Sequence, residues 1–554
     1  MLHFHPSSIL VACGLSALSL GCSGVVDAGL EDGNFDTERV LQVDIQMAPE
    51  DWDALRNQTR SFVSELSGDC MAAPHESPYT YFHASITMDG ESLPDVGIRK
   101  KGFIGSQSTT KPGFRINLDE YVPGAELFGK DNLTLNNSVQ DPSLIRQCLS
   151  YHLFRKAGLP ASKCNFARVS MNGEDLGVYV HVEPVKRSFL RDHFGHDDGD
   201  LYEGTISDFR EAWHRTFQSK TIHTDTELTQ VTALMDALDS REPKRDVIER
   251  YFDLAHLLNF LAMENIIGHW DGYGGNRNNF FVFWDRVVQQ FFFIPWGVDG
   301  TMNDRSLDAP LFAKARLPYH LLKDTELSRL FKDQIRMLLD VIWVEEEVLA
   351  EVDRMVALLE TEIDLTPHAE GIDNLRNYIS GRRGRLIDQL DRSPPALEES
   401  PYCLAEKGSI EAAFETRWDT IGEGTDLTRE GDLEIDMIWE GDRTQFVRSG
   451  VGAGFSDDDG TPLVVIVGLL DERNGAMFIP YVSFDPAQVV PGRPMPVQGS
   501  GVGGAVLYRD NNIGGMVQAG FMNEPELTFD AFEAVAGSPV SGRLRTTLWS
   551  WEPQ

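Results

Sequence analysis

Basic residues are scarce in this chain: 49 Lys and Arg stand against 86 Asp and Glu, a formal charge of -37 over 554 residues. Nucleic acid and anionic membrane repel such a polyanion, which argues against non-specific binding to either. Long apolar runs are missing too. The stretch from Ile9 to Leu20 is too short to span a bilayer as a mature helix. Cysteine is sparse, six in all, with no metal-finger spacing. A phosphate loop of the usual form is absent, because the glycines of 501–504 have no Lys-Ser/Thr after them. The loop Ser456-Asp457-Asp458-Asp459-Gly460 lacks the full ligand spacing of a calcium loop. What is present is globular. With 42% hydrophobic and 10% aromatic residues, the chain can fill two or three cores and is not a disordered tail.

The N-terminus points outward. After the apolar run comes Leu18-Ser19-Leu20-Gly21-Cys22-Ser23, and a small residue directly before cysteine resembles the lipobox of bacterial lipoproteins. His3 and His5 stand where Lys or Arg is usual. This gives a lipoprotein-type signal over 1–21, a Gly-, Asp- and Ser-rich flexible tether over 22–38, and membrane contact only through a lipid on Cys22. A plain secretory signal is the alternative. Either way the expected location is outside the cytoplasm, as an outer-membrane or cell-surface lipoprotein or in the periplasm. Cys70, Cys148, Cys164 and Cys403 remain, an even number in an oxidising compartment. Cys148–Cys164 is the pair expected, since a helix followed by a return strand would bring them together.

From residue 39 the order is mixed. Val40–Ile45 alternates as a strand, and Pro49–Leu55 opens a helix. Short strands follow, including Val96–Gly102 and Lys111–Leu118, joined by the hydroxyl-rich Gly105–Thr110. Arg99, Lys100, Lys101, Lys111 and Arg115 make this hairpin basic within an acidic protein, so it is either an anion site or a solvated hairpin. Asp141-Pro142-Ser143 is expected to open a helix ending at Gly158. A hairpin then turns at Asn172-Gly173. The His and Asp residues of 192–198 read as a solvated loop. Helical patterns fill 224–268 and 325–393. Past Ser393-Pro394-Pro395 short alternating runs and Gly/Asp turns predict an all-β sandwich or jelly roll over 400–554.

The chemistry concentrates at Ile266–Phe280 and Phe293–Gly300. Two Asp-Gly pairs, Asp271-Gly272 and Asp299-Gly300, flank a predicted β-hairpin, with Asn276, Asn278 and Asn279 between them. Phosphoryl transfer needs cations on the phosphates, oxygen ligands for Mg²⁺ and a carboxylate to take the proton of the attacking hydroxyl. Asp271-x-x-x-x-Asn276 has the spacing of a kinase catalytic loop, and His269-x-Asp271 is similar to the residues before it.

The order of these parts resembles the spore-coat-protein-H (CotH) kinase family, secreted atypical protein kinases. The resemblance covers roughly 40–392: Ile45–Asp53, Val96–Gly102, Lys111–Ile116, Asp141–Arg146, Asn172-Gly173 with Gly177–Glu183, Asp271-Gly272-Tyr273, Asn278-Asn279-Phe280, Pro295-Trp296 and the Arg382-Arg383 helix. It implies an α+β, two-lobed kinase-like domain over 39–393 that transfers the γ-phosphoryl group of ATP, with Mg²⁺ or Mn²⁺, to a protein hydroxyl. By position, Asp271 would be the catalytic base and Asp299 the metal ligand, with Asn279 as partner ligand or Asn276 on spacing. Lys111 and Arg115, with Arg99, would hold phosphates. Glu183 would lie near the lobe connection and the adenine, and Arg146 would brace the small lobe. Many members carry Pro-Trp-Asp-x-Asp where this chain has Pro295-Trp296-Gly297-Val298-Asp299. The runner-up is therefore a non-catalytic surface protein with a degenerate pocket; a metal-dependent phosphate-ester hydrolase is third.

Overall fold

The computed structural model describes residues 35–221, 228–303, 311–393, 396–397, 400–422, 424–456, 460–495, 503–511 and 515–553. The signal, Cys22, most of the tether, and the Asp457–Asp459 part of the acidic loop lie outside them. Phe35 to Glu38, expected at the tether's end, are packed down. Phe35 stacks on His181 at 4.5 Å, and Asn165 donates to the Asp36 carbonyl at 3.0 Å.

Seven strands close into a barrel: β1 (Leu41–Gln46), β2 (Phe82–Met88), β3 (Glu91–Lys101), β4 (Gly113–Asn117), β5 (Asn132–Asn136), β6 (Cys164–Met171) and β7 (Glu174–Val182). Their order is β1-β2-β3-β4-β5-β7-β6, closed by the parallel pair β1–β6. Leu41, Val43 and Ile45 alternate inward against Ile98, Phe114, Ile116, Leu133 and Leu135, the period-2 signature of a strand with one core face. In β5 both faces are buried, and at its end Asn136 reaches Asp299 of the second lobe. Two helices, α1 (Pro49–Asn57) and α2 (Phe62–Leu66), lie between β1 and β2.

Helix α3 spans Arg146–Lys156, five residues later than expected. Asp141 is not in it. Its buried carboxylate instead accepts from the Ser143 and Arg146 backbone N–H groups, at 2.9 and 2.8 Å, and from the Ser143 hydroxyl. The motif is thus an extended capping turn. The Cys148–Cys164 disulfide forms as expected, and a second joins Cys70 to Cys403.

After α4 (Arg187–Phe194) the second lobe begins with β8 (Gly199–Gly204) and β9 (Gln218–Ser219). Next come α5 (Thr229–Asp239), α6 (Lys244–Tyr251) and α7 (Leu254–Ile267), then the hairpin β10 (Phe280–Asp285) and β11 (Gln290–Pro295). Helices α8 (Arg316–Lys323), α9 (Thr325–Val341), α10 (Glu345–Leu359) and α11 (Ala369–Leu390) complete it. The sheet runs β11-β10-β8-β9. Helix α7 is buried on all sides, as a helix apolar all round must be.

The C-terminal region is all-β, as expected. Its nine strands are β12 (Tyr402–Arg417), β13 (Asp432–Trp439), β14 (Asp442–Arg443), β15 (Arg448–Phe455), β16 (Pro462–Asp471), β17 (Ala476–Ser483), β18 (Gly503–Asp510), β19 (Gly515–Ala531) and β20 (Pro539–Pro553). They form one continuous sheet, order β14-β13-β12-β20-β19-β18-β17-β16-β15. It curls over a single core, so that Trp418, just past β12, bridges to Ala453 in β15. No helix among the described residues is long and apolar enough to cross a membrane.

Cys148 and Cys164 are 16 residues apart, and closing a loop of that size removes about 3 kcal/mol of unfolded-chain entropy. Cys148→Ala/Cys164→Ala is expected to lower stability by about that much, read as a lower urea midpoint. An unchanged midpoint contradicts it.

Candidate active site

The loop that carries Asp271 begins where α7 ends. Gly268 takes the left-handed conformation there (φ 67°, ψ 40°), the usual way a helix stops. Two side chains from α11 hold the last carbonyls: the Tyr378 hydroxyl donates to Ile266 at 3.1 Å, and Arg382 donates to Ile266 and Asn265. One turn back on α7, Glu264 is fully buried. Its two carboxylate oxygens accept the backbone N–H groups of Tyr273 and Gly274 at 2.8 and 2.9 Å. Burial raises the Glu264 carboxyl to about 8, against the pull of those two donors. Those two backbone donors favour the charged form, which burial opposes. A Cβ on Gly272 would sit 2.2 Å from Glu264 Oε1, so the loop closes this tightly only with glycine.

On this frame Asp271 is half-buried and collects amide donors. Asn276 Nδ2 lies 2.6 Å from Oδ1, Asn279 Nδ2 2.7 Å from Oδ2, and Asn278 Nδ2 3.4 Å from each. Burial lifts the Asp271 carboxyl to about 6, the Asn276 and Asn278 amides pull it down, and the charge of Asp299 pushes it up again. Asp299 lies on the short helical turn Val298–Gly300 just past β11. The Phe280↔Pro295 register brings the two ends of the β10–β11 hairpin together, so both Asp-Gly pairs meet at one place. His269 is buried against the Asn279 and Trp296 backbone, and burial lowers it to about 4, keeping the imidazole neutral. Trp270 is 44% exposed and donates from Nε1 to the Gly300 carbonyl at 3.1 Å, joining the two turns.

The barrel supplies the facing wall. In β3 the side chains alternate: Ile98 points into the core, and Lys100 is buried on the same side, its Nζ donating to the Arg56 and Gln58 carbonyls at 2.8 Å each. Arg99 and Lys101 therefore face outward, beside Arg115, which pairs with Arg99 across β3–β4. Arg99 is occupied by Ser77 at 2.6 Å and the Tyr81 ring. Lys101 and Arg115 make no hydrogen bond or ion pair among the described residues. Burial lowers the Lys101 ammonium, which the Asp299 charge partly offsets, and Arg115 and Arg99 push it lower. Asn136 of β5 closes the gap, with Nδ2 at 2.8 Å from Gln147 of α3 and 3.5 Å from Asp299.

Three further expected positions are engaged with partners of their own. Lys111 is not with Asp299: its Nζ is 5.2 Å from the centroid of Tyr179, a barrel-core ring, and burial lowers it to about 8. The reason is that Lys111 precedes Pro112 outside β4, where strand alternation does not set its direction. Glu183 is at the connection after β7 but is 2% exposed, accepting the Lys163 N–H at 3.1 Å with Lys130 at 3.9 Å. Arg146 is buried on Asp141, Nε to Oδ1 3.7 Å. The hydroxyl-rich tip is tied down by Gln107 to the Arg60 backbone and by Asn137 to the Ser106 and Lys111 carbonyls. The sequence carries no separate signal for Lys101 within three consecutive cations.

No group of three His, Cys, Asp or Glu side chains among the described residues could hold a metal. Mg²⁺ commonly takes one or two carboxylates plus substrate phosphate oxygens, and that is the donor set in this cleft. Two like charges, one with its pKa raised by the other, face two cations without partners. Asn279 offers Oδ1, its Nδ2 being used on Asp271.

A family model described as CotH kinase protein matches residues 98–388, just over half of the chain. The chain belongs to that family. Inner spore coat protein H of Bacillus subtilis is 23% identical over 291 residues, covering 47% of this chain and 79% of that protein. Spore coat protein homolog 1 of Rhizopus delemar is 29% identical over 154 residues, and the match spans only a quarter of each chain. A crystal structure of a Helicobacter pylori proinflammatory kinase, CtkA, aligns at 11% identity and a TM-score of 0.27, covering 52% of this chain and 93% of that one.

Gly297, where many CotH members carry Asp, has φ +53°, and a Cβ there would lie 2.3 Å from Asn279 Oδ1. Asn279 itself has φ 52°. Asn279 fills the space from which a residue-297 carboxylate would start. Gly297→Asp is expected to cost about 1–3 kcal/mol by overpacking, and less than the sum in combination with Asn279→Ala, measured as a double-mutant cycle in urea. Additive costs would show that the two positions do not compete.

Proposed function

We propose that this CotH-family chain is an exported, surface-anchored atypical protein kinase that transfers the ATP γ-phosphoryl group to Ser/Thr hydroxyls of a protein. The observation that carries the reading is the cleft in which Asp271 and Asp299 oppose the unpartnered Lys101 and Arg115. Asp271 is the base. It takes the proton of the acceptor hydroxyl as the new O–P bond forms and the bond to the β-phosphate breaks, with ADP leaving. The three asparagine amides hold its carboxylate in place. Lys101 and Arg115 bind the phosphates, Lys101 taking the role expected of Lys111. Asp299, with Asn279, would hold Mg²⁺, which supplies charge neutralisation on the phosphates when bound. The two disulfides support a compartment outside the cytoplasm, and Cys22 is proposed as the lipid attachment.

The second reading, a non-catalytic binding protein, is favoured by Gly297, which removes one carboxylate from the position where relatives carry it. Labelled γ-phosphate incorporation separates the two. Transfer to the protein itself or to a generic acceptor is expected with Mg²⁺ or Mn²⁺, and is expected to fall by about 10³-fold or more in Asp271→Asn and Asp299→Asn. Lys101→Met is expected to raise the KM for ATP roughly tenfold, with Lys111→Met near wild type. No incorporation, together with no ATP-dependent rise in melting temperature, supports the second reading.

The protonated Asp271 cannot accept a proton, so the rate should rise with pH through an acid limb near 6 and level above it. Asn276 donates to the carboxylate and holds its pKa down, so Asn276→Ala should move the limb upward. A limb that stays put in Asn276→Ala, or that moves downward, removes Asp271 as the titrating base.

A further inference from the structure

Residues 205–217 run between β8 and β9 and touch the Asp271 loop at three points. Ser207 donates its backbone N–H to the Arg277 carbonyl at 2.7 Å, and the Tyr273 hydroxyl donates to Asp208 at 2.9 Å. The Arg277 guanidinium lies 4.2 Å from the centroid of the Trp213 ring, within cation–π range. Arg210, held on Asp208 at 2.7 Å, lies over the same ring at 4.7 Å. Arg277 stands between Asn276 and Asn278, and both neighbours donate to Asp271. Its position therefore fixes theirs.

Trp213 is 2% exposed, and what it packs against is Cys70, Met71 and Cys403. Cys70 lies between α2 and β2, in the barrel lobe. Cys403 lies in β12, the first strand of the C-terminal sheet, and the disulfide joins them across 333 residues of sequence. Ile206, at the head of the same segment, packs on this cluster and on a second one of Val63, Leu66, Leu404, Phe521 and Trp549. The barrel lobe, the second lobe and the C-terminal sheet meet at one apolar junction. A sequence of contacts runs from it to the loop through Trp213 and Arg277.

We propose that the C-terminal β domain is a positioning element of the site: the Cys70–Cys403 disulfide backs Trp213, Trp213 holds Arg277, and Arg277 sets the 271–279 loop. The consequence for catalysis rests on the kinase reading; the consequence for loop order does not. The Cys70–Trp213–Cys403 cluster contains no residue of β3 or β4, the strands that carry Lys101 and Arg115, so loss of that cluster should lower kcat and leave the KM for ATP near wild type. That split differs from general loss of structure, which lowers the active fraction and raises exchange everywhere.

The test is hydrogen exchange in the full exported chain, comparing wild type with Cys70→Ser/Cys403→Ser, Trp213→Leu and the conservative Arg277→Lys. Exchange of amides in 271–279 is expected to rise about tenfold in the first two, and less in Arg277→Lys, with β1 to β7 unchanged. Unchanged exchange in 271–279 in both variants overturns the inference. So does an equal rise across barrel and loop, which would make the disulfide a general staple. Exchange requires no catalysis, so absence of phosphoryl transfer in wild type would overturn the kinase reading and leave this result standing. Where wild type transfers phosphate, a raised KM with unchanged kcat also contradicts the proposed route.

Discussion

The Glu264 carboxylate, buried and bound to the Tyr273 and Gly274 N–H groups, is the contact on which the rest of the second lobe's site depends. A buried carboxyl group is tolerated only when its lone pairs are met, and in this lobe the loop's own backbone meets them. The demand is mutual. The loop cannot open without stranding a carboxylate, and the carboxylate cannot turn away without stranding two backbone donors, each loss being about 1–3 kcal/mol. Gly272 lets the backbone come that close, and Arg382 and Tyr378 hold the helix end from which Glu264 projects. Asp271 inherits its position from this clamp.

Charge then decides what the cleft accepts. Over the whole chain negative charge prevails by a wide margin, so cations without partners stand out. Most arginines on this protein are paired with a carboxylate, as Arg168 is with Asp175; Lys101 and Arg115 are not. Desolvation has already weakened the hold of Lys101 on its proton, and the Asp271 carboxyl has been raised to about 6. An anion against the lysine and a cation on Asp299 would each offset part of that cost. Magnesium with a nucleotide triphosphate supplies both at once. The same neighbourhood bears on Gly297: Asn279, bound to Asp271, lies over residue 297 and leaves no room for a side chain there.

Much of this is legible in the sequence because it is local or ordered. The β10–β11 hairpin, with an Asp-Gly pair at each end, follows from apolar runs and turns, and the helical stretch before Gly268 from its continuous apolar residues. The order of motifs along 98–388 carries the family. Direction is harder. Arg99-Lys100-Lys101 reads as one basic patch, yet strand alternation sends Lys100 to the α1 carbonyls and Lys101 to the cleft. Alternation is a general rule, but which side faces the second lobe is a tertiary fact. Lys111, outside any strand, has no rule to follow. The Asp141 turn imitates a helix start because its carboxylate caps from five residues away. Cys70–Cys403 and the Trp213–Arg277 stack join distant segments and leave no periodic trace.

The central claim is that Asp299 and Lys101 bind opposite ends of one metal–phosphate group. Crystals grown with Mn²⁺ and a non-hydrolysable ATP analogue test it directly through the anomalous signal of the metal. The account predicts a peak about 2.1 Å from Asp299 Oδ atoms, with phosphate oxygens in hydrogen-bond reach of Lys101 and Arg115. A nucleotide seated instead beside Lys111, or metal bound away from Asp299, would contradict it.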